Sequence, residues 1–258
     1  MWDAKLRLFL IIGNIREIPL FIYICTMKVK LTKISKVILV LCVLLLIVGV
    51  LSMIFVIDDE AARSRIVFSM FETLVMIVLI LLPILLNRMI HVRIPSSMEI
   101  IFVVFCFGSL MLGDVADFYG RFPWWDDLQH GISGILLGIL GYIIINTFNA
   151  PEQSGRLRFS PVFVSIWVLC FALSCGALWE IAEYCVDGWF GLNSQQFLES
   201  SGTFDASTPL VGHEALKDTM YDLMLDLAGG AIISIAGYFD MRHIRQRFTG
   251  LSLEFDKN

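Results

Sequence analysis

The residues able to do chemistry in this chain are acids, and they recur at helical intervals. Asp126, Asp127 and His130 form one group, Glu180, Glu183 and Asp187 a second, and Asp222 and Asp226 a third. Positions three and four apart share a helix face, so each group can turn toward a common centre. Carboxylates joined by an imidazole make a mixed oxygen and nitrogen shell, which suits Zn, Mn or Fe; an all-oxygen shell suits Mg or Ca. His130, Glu180, Glu183, Asp222 and Asp226 are therefore the expected ligands of a divalent metal ion (Zn, Mn or Mg). Asp127 is the expected catalytic base or a further ligand. Asp126 and Asp187 fall at segment ends, where solvation alone would account for them.

The setting makes these acids unusual. Of 258 residues, 57% are hydrophobic and 17% charged, with a mean hydropathy of +0.79. Soluble domains are less apolar and more charged, and disordered chains are far more polar. A net charge of −5 argues against nucleic-acid partners. The expected fold class is all-α, a polytopic membrane helix bundle in contact with membrane lipids. A span needs about 20 apolar residues. Six stretches qualify: 37–57, 66–86, 99–119, 127–148, 161–185 and 219–239. Residues 8–27 are broken by Asn14, Arg16, Glu17 and Pro19, and read as an interfacial or re-entrant helix rather than a seventh span.

Cytoplasmic connections are enriched in Lys and Arg. Twelve such residues lie in segments 28–36, 87–97 and 149–160 and in the tail after 239; the alternate connections hold Arg63, Arg65, Arg121 and Lys217. The expected orientation has the C-terminus in the cytoplasm. The expected organisation is an N-terminal segment with a basic linker over 1–36, a six-helix domain over 37–239 with an external loop at 188–218, and a cytoplasmic tail over 240–258. In the loop, Ser207-Thr208-Pro209 predicts a helix start near residue 210.

With this orientation the acids fall in the outer half of the bilayer. Glu72, Asp114 and Asp117 join the groups already named, whereas the inner half holds only Glu99, at its edge. Intramembrane ionisable groups are costly and mark functional sites by default. Leaving aside Asp187 at its segment exit, nine carboxylates facing His130 and Arg121 cannot all remain charged in a shared apolar site; protons, water or a cation must compensate. Gly131, Gly134, Gly138 and Gly141 continue the His130 face, and Gly229 and Gly230 follow Asp226, a small-residue pattern that allows close helix packing. The six cysteines include no CxxC pair and read as small buried hydrophobes.

Two motifs nearly match and fail. Asp126-Asp127-Leu128-Gln129-His130 lacks the last acid of the prenyl-transferase motif. His213-Glu214-Ala215-Leu216-Lys217 has Lys where a zincin needs its second His. The run Phe118-Tyr119-Gly120-Arg121-Phe122-Pro123-Trp124-Trp125-Asp126-Asp127-Leu128-Gln129-His130-Gly131-Ile132-Ser133-Gly134 resembles the signature of an uncharacterised bacterial inner-membrane family that includes YjdF. Trp179-Glu180-Ile181-Ala182-Glu183-Tyr184 and Tyr221-Asp222 through Gly230 resemble later segments of that family. The last helix also resembles VanZ-like proteins in part, although Asp226 stands where both groups often carry Asn. The resemblance implies a multi-pass protein of the bacterial inner membrane and implies no reaction.

Three functions are compatible with these residues. The first is a metal-dependent membrane hydrolase or transferase acting on a lipid-linked or envelope substrate, with Trp124, Trp125, Trp179 and Trp189 at the outer interface. The second is a proton- or cation-coupled transporter, which the absence of acids from the inner half and of inverted repeats disfavours. The third is a non-catalytic envelope scaffold or resistance factor that binds through the 188–218 loop.

Overall fold

The computed structural model describes residues 31–55, 60–90, 92–149, 159–200, 207–242 and 254–255. The 8–27 segment and the tail beyond Arg242, apart from one strand residue pair, lie outside that set. The six apolar stretches become α1 (Lys33–Phe55), α2 (Glu60–Ile90), α3 (Ser96–Cys106, continuing as a π-helix over Phe107–Val115), α5 (Trp125–Asn149), α6 (Pro161–Phe190) and α7 (Lys217–Arg242). A short α4 (Phe118–Arg121) links the π-helix to α5. Six helices of the described residues are long and apolar enough to cross a membrane. A two-residue antiparallel pairing, β1 (Val92–Arg93) with β2 (Glu254–Phe255), is the small exception to the all-α fold.

Local chemistry sets the helix ends. Ser160 caps α6, its hydroxyl accepting from the Phe163 N–H at 3.2 Å, and Pro161 occupies the first turn, a favoured place for proline. Gly191 closes the same helix at φ 65°, so α6 runs to Phe190, past the expected 185. The third span ends earlier than expected, at Val115, because Asp117 turns left-handed at φ 59° and pairs with Arg121 at 3.6 Å. The last helix starts later than expected. Pro209 bridges to Leu198 instead of starting a helix, and a 3-10 turn at Glu214–Leu216 leads into α7.

The helices form two groups. In the first, Cys42 of α1, Met76 and Ile80 of α2, and Val103, Cys106 and Met111 of α3 and its π extension share one core. Much of α1 faces outward, with Val37, Leu44, Val48 and Phe55 exposed, as expected of a helix against lipid. At its start, buried Glu99 of α3 accepts from the Thr32 N–H and the Ser35 hydroxyl, meeting donors a helix start leaves unpaired. In the second group α5, α6 and α7 pack on one another around Tyr142, Ile145, Val164, Val168 and Ile233. The π-helix joins the groups, accepting the Trp125 indole N–H at the Gly108 carbonyl, 3.2 Å. Of the cysteines, Cys42 and Cys106 are buried as expected and Cys170 is exposed.

Parallel α5 and α7 approach closely because glycines line the seam. A methyl at Gly134 would lie 2.8 Å from the Asp226 Cα, and one at Gly138 would lie 2.9 Å from the Ile233 Cβ. Gly131, on the same stripe, has open space where a Cβ would stand. One chemical change should therefore have opposite signs one turn apart. Gly134→Ala should destabilise by about 1–3 kcal/mol through overpacking. Gly131→Ala should stabilise by up to about 1 kcal/mol through helix propensity. Thermal unfolding in detergent, followed by tryptophan fluorescence, checks both.

Candidate metal site

Three helices bring their acids to one end of the second group. Asp126 and His130 lie in the first two turns of α5, Glu180 in the latter part of α6, and Asp222 and Asp226 early in α7. All five are withdrawn from the surface: relative exposure is 9% for Asp126, 5% for His130, 4% for Glu180, 1% for Asp222 and 0% for Asp226. The helix seam makes this burial deep. A Cβ at Gly176 of α6 would overlap the Asp226 carboxylate, so that acid occupies the space a larger residue would fill.

His130 is the hub. Its Nδ1 lies 3.2 Å from Asp226 Oδ2, and its Nε2 lies 3.8 Å from Asp126 Oδ1 and 3.7 Å from Glu180 Oε1. The other Asp226 oxygen accepts the hydroxyl of Ser133, one turn below His130. Neither carboxylate oxygen of Glu180 has a hydrogen-bond partner, nor does Asp222 Oδ2. Among the described residues, His130 is the basic side chain at ion-pair distance from these acids. One ligand atom each from Asp126, His130 and Asp222 lie within 4.8 Å of one another. This buried Asp-His-Asp group could hold a metal ion.

The other acids named from the sequence lie at the edge of this cluster or beyond it. Asp127 is exposed, though it shares the first turn of α5 with Asp126. Glu183 is half-buried and accepts the Trp179 indole N–H at 2.7 Å. Asp187 is buried and accepts backbone N–H groups from Ser194 at 2.7 Å and Gln195 at 3.0 Å. Buried Glu72 of α2 and half-buried Asp114 of the π-helix form a separate pair. Tyr119 stands between that pair and the main cluster. Desolvation, with the charges of Asp114 and Asp126, pushes its phenol well above its usual range, and its hydroxyl shares a 3.0 Å hydrogen bond with Ser109.

Two participants carry little signal in the sequence. Asp126 shares a helix face with His130 but sits at a segment end where solvation would also account for it, and its acidic neighbour Asp127 leaves open which of the two faces inward. Gln196, whose side-chain N–H donates to Asp126 Oδ2 at 2.7 Å, carries no signal in a polar loop.

Every residue of the cluster lies within 37–243, the segment that matches the family described as "Predicted membrane protein (DUF2238)". The chain belongs to this family. An uncharacterized protein of Thermotoga maritima is 25% identical over 149 residues, which cover 57% of this chain and 65% of that protein. The chain thus spans slightly less than two thirds of that relative. No solved structure matches. Family and helices agree on a multi-pass membrane protein; the likeness to VanZ-like proteins gains no support from these comparisons.

Removing one partner from a buried ionic cluster leaves unpaired charge and costs about 3–5 kcal/mol. His130→Ala should lower stability by that amount in chelator-treated protein. Asp127→Ala, at an exposed position, should change it by less than about 1 kcal/mol. Melting temperatures of the two variants beside wild type decide the ranking.

Proposed function

We propose that this member of the family is a divalent-metal-dependent hydrolase or transferase of the bacterial inner membrane, acting on a lipid-linked or envelope substrate. The observation that carries the reading is the convergence of Asp126, His130 and Asp222 within 4.8 Å, next to the buried Glu180 carboxylate. Four buried carboxylates around one imidazole need added positive charge, and a divalent ion supplies it. In this reading Asp126, His130 Nε2, Asp222 and Glu180 hold the ion. Asp226 accepts the Nδ1 proton and fixes the ring, as carboxylates beside ligating histidines commonly do. Glu183 and Asp127 stand outside the ligand set, and base chemistry falls to a ligand-side carboxylate. A nitrogen and oxygen donor set favours Zn or Mn over Mg. The ion supplies Lewis-acid activation of water or of a phosphoryl or acyl oxygen.

The excess of Lys and Arg in one set of connections supports a cytoplasmic C-terminus, with the tail over 240–258, and a cluster in the outer half of the bilayer. The likeness of 118–134 to the group that includes YjdF belongs to the same reading. Exposed Trp124, Trp179 and Trp189 sit at this end of the helices, as interfacial aromatics do.

Elemental mass spectrometry of the purified protein should find near-stoichiometric metal in wild type and in Asp127→Ala. His130→Ala and Asp222→Asn should lose it, and cells carrying them should change their envelope lipid profile. Metal-free wild type after adding back Zn²⁺, Mn²⁺ and Mg²⁺ would sink the proposal. One observation favours a second reading, cation- or proton-coupled transport: Glu72 is buried beside Asp114 with Oε2 unpartnered. That reading expects ion flux in proteoliposomes that Glu72→Gln abolishes; unchanged flux in the variant rejects it.

A further inference from the structure

Among the described residues, the external loop reaches the cluster at the turn Asn193–Gln196. Its anchoring is dense. Both oxygens of buried Asp187 accept N–H groups from this turn, and the Gln196 N–H donates to the Asn193 carbonyl at 3.2 Å. Asn193 is 1% exposed; its Oδ1 accepts from the Leu198 N–H at 3.0 Å and its Nδ2 donates to the Ser200 carbonyl at 2.8 Å. The turn then sends two consecutive amides inward. Gln195 Nε2 donates to Thr219 Oγ1 at 3.0 Å and reaches the Glu180 carbonyl at 3.4 Å, tying α6 to α7. Gln196 Nε2 donates to Asp126 Oδ2 on α5.

Gln196 holds an uncommon backbone conformation to do so. Its φ is 45°, left-handed for a residue with a Cβ, an arrangement glycine would adopt with less strain. Such strain persists where surrounding contacts impose it, and it concentrates at functional sites. The contact also divides the work of the Asp126 carboxylate: Oδ2 is held by the amide, and Oδ1 faces His130 Nε2 at 3.8 Å.

We propose that Gln196 is a positioning residue for the metal site: its amide fixes the Asp126 carboxylate so that Oδ1 stays turned toward His130 and Asp222. This rests on the metal reading above. Gln196 acts through Asp126 and does not itself ligate. The loop is thereby part of the site, and the ion-binding geometry is completed by a segment about 70 residues from the acid it orients.

The test uses Gln196→Gly and Gln196→Met in the full-length protein, with metal affinity measured by competition against a chromogenic chelator and melting measured on chelated protein. Glycine removes the amide and relieves the backbone; methionine keeps the length and removes the donor. Both should weaken metal binding by about 10–100-fold, while chelated Gln196→Gly melts at or above the wild-type temperature. Wild type that binds no metal fails the metal reading and takes this inference with it. Wild type that binds, beside variants that bind within twofold, overturns this inference and leaves the metal reading standing. Weakened affinity accompanied by a lower melting temperature of chelated Gln196→Gly would make the role structural and also overturn it.

Discussion

Four carboxylates share one imidazole in a volume enclosed by three apolar helices, and much of the second helix group is arranged around that fact. An isolated buried charge is among the most expensive things a protein can contain, and a lipid-facing bundle has little water to soften it. The structure answers with geometry: Asp226 is matched to one ring nitrogen of His130, Asp126 and Glu180 to the other, and Ser133 donates to the remaining Asp226 oxygen. These contacts require the backbones of α5, α6 and α7 to approach within reach of short acidic side chains. Glycines at 134, 138, 176 and 229 make that approach available. Seam and cluster are thus one device, since either would be untenable without the other.

The first helix group has a different character. Its apolar core is continuous, and its acids come singly or as a pair. Glu99 serves the start of α1, and Glu72 with Asp114 lies where the π-helix meets α2. A π-helix is wider than an α-helix and is often retained near functional positions. Here it carries Gly108, which receives the Trp125 indole, and Gly113, whose missing side chain leaves room for the Tyr119 ring. The two groups therefore meet through aromatic side chains seated on glycines, close to the start of the helix that carries His130.

The apolar runs were long enough, and broken sharply enough by charge, that all six long helices could be read from the sequence. The four-residue spacings of Asp126 with His130 and of Asp222 with Asp226 also stated correctly which side chains share a face. What the sequence could not state was rotation. Consecutive residues on a helix point about 100° apart, so choosing Asp126 over Asp127 requires knowing how α5 docks. Docking depends on close approaches between positions some 90 apart, such as Gly134 and Asp226. Rotation decides the surroundings of Glu183 too: three residues beyond Glu180, it accepts the Trp179 indole N–H. Gln196 was invisible for another reason: a left-handed residue in an irregular loop has no periodicity to betray it.

The overlap between Gly176 and the Asp226 carboxylate has a consequence for how such a sequence can change over generations. The space is a fixed sum divided between two positions on different helices, so neither is free to drift alone. A lineage that enlarges residue 176 first passes through an overfilled intermediate; one that shortens residue 226 first passes through a void and a histidine stripped of its partner. The order of substitutions matters, and both orders lead through a weakened protein. Among relatives, the residues at 176 and 226 should accordingly vary as a pair, with their combined volume held steadier than the identity of either.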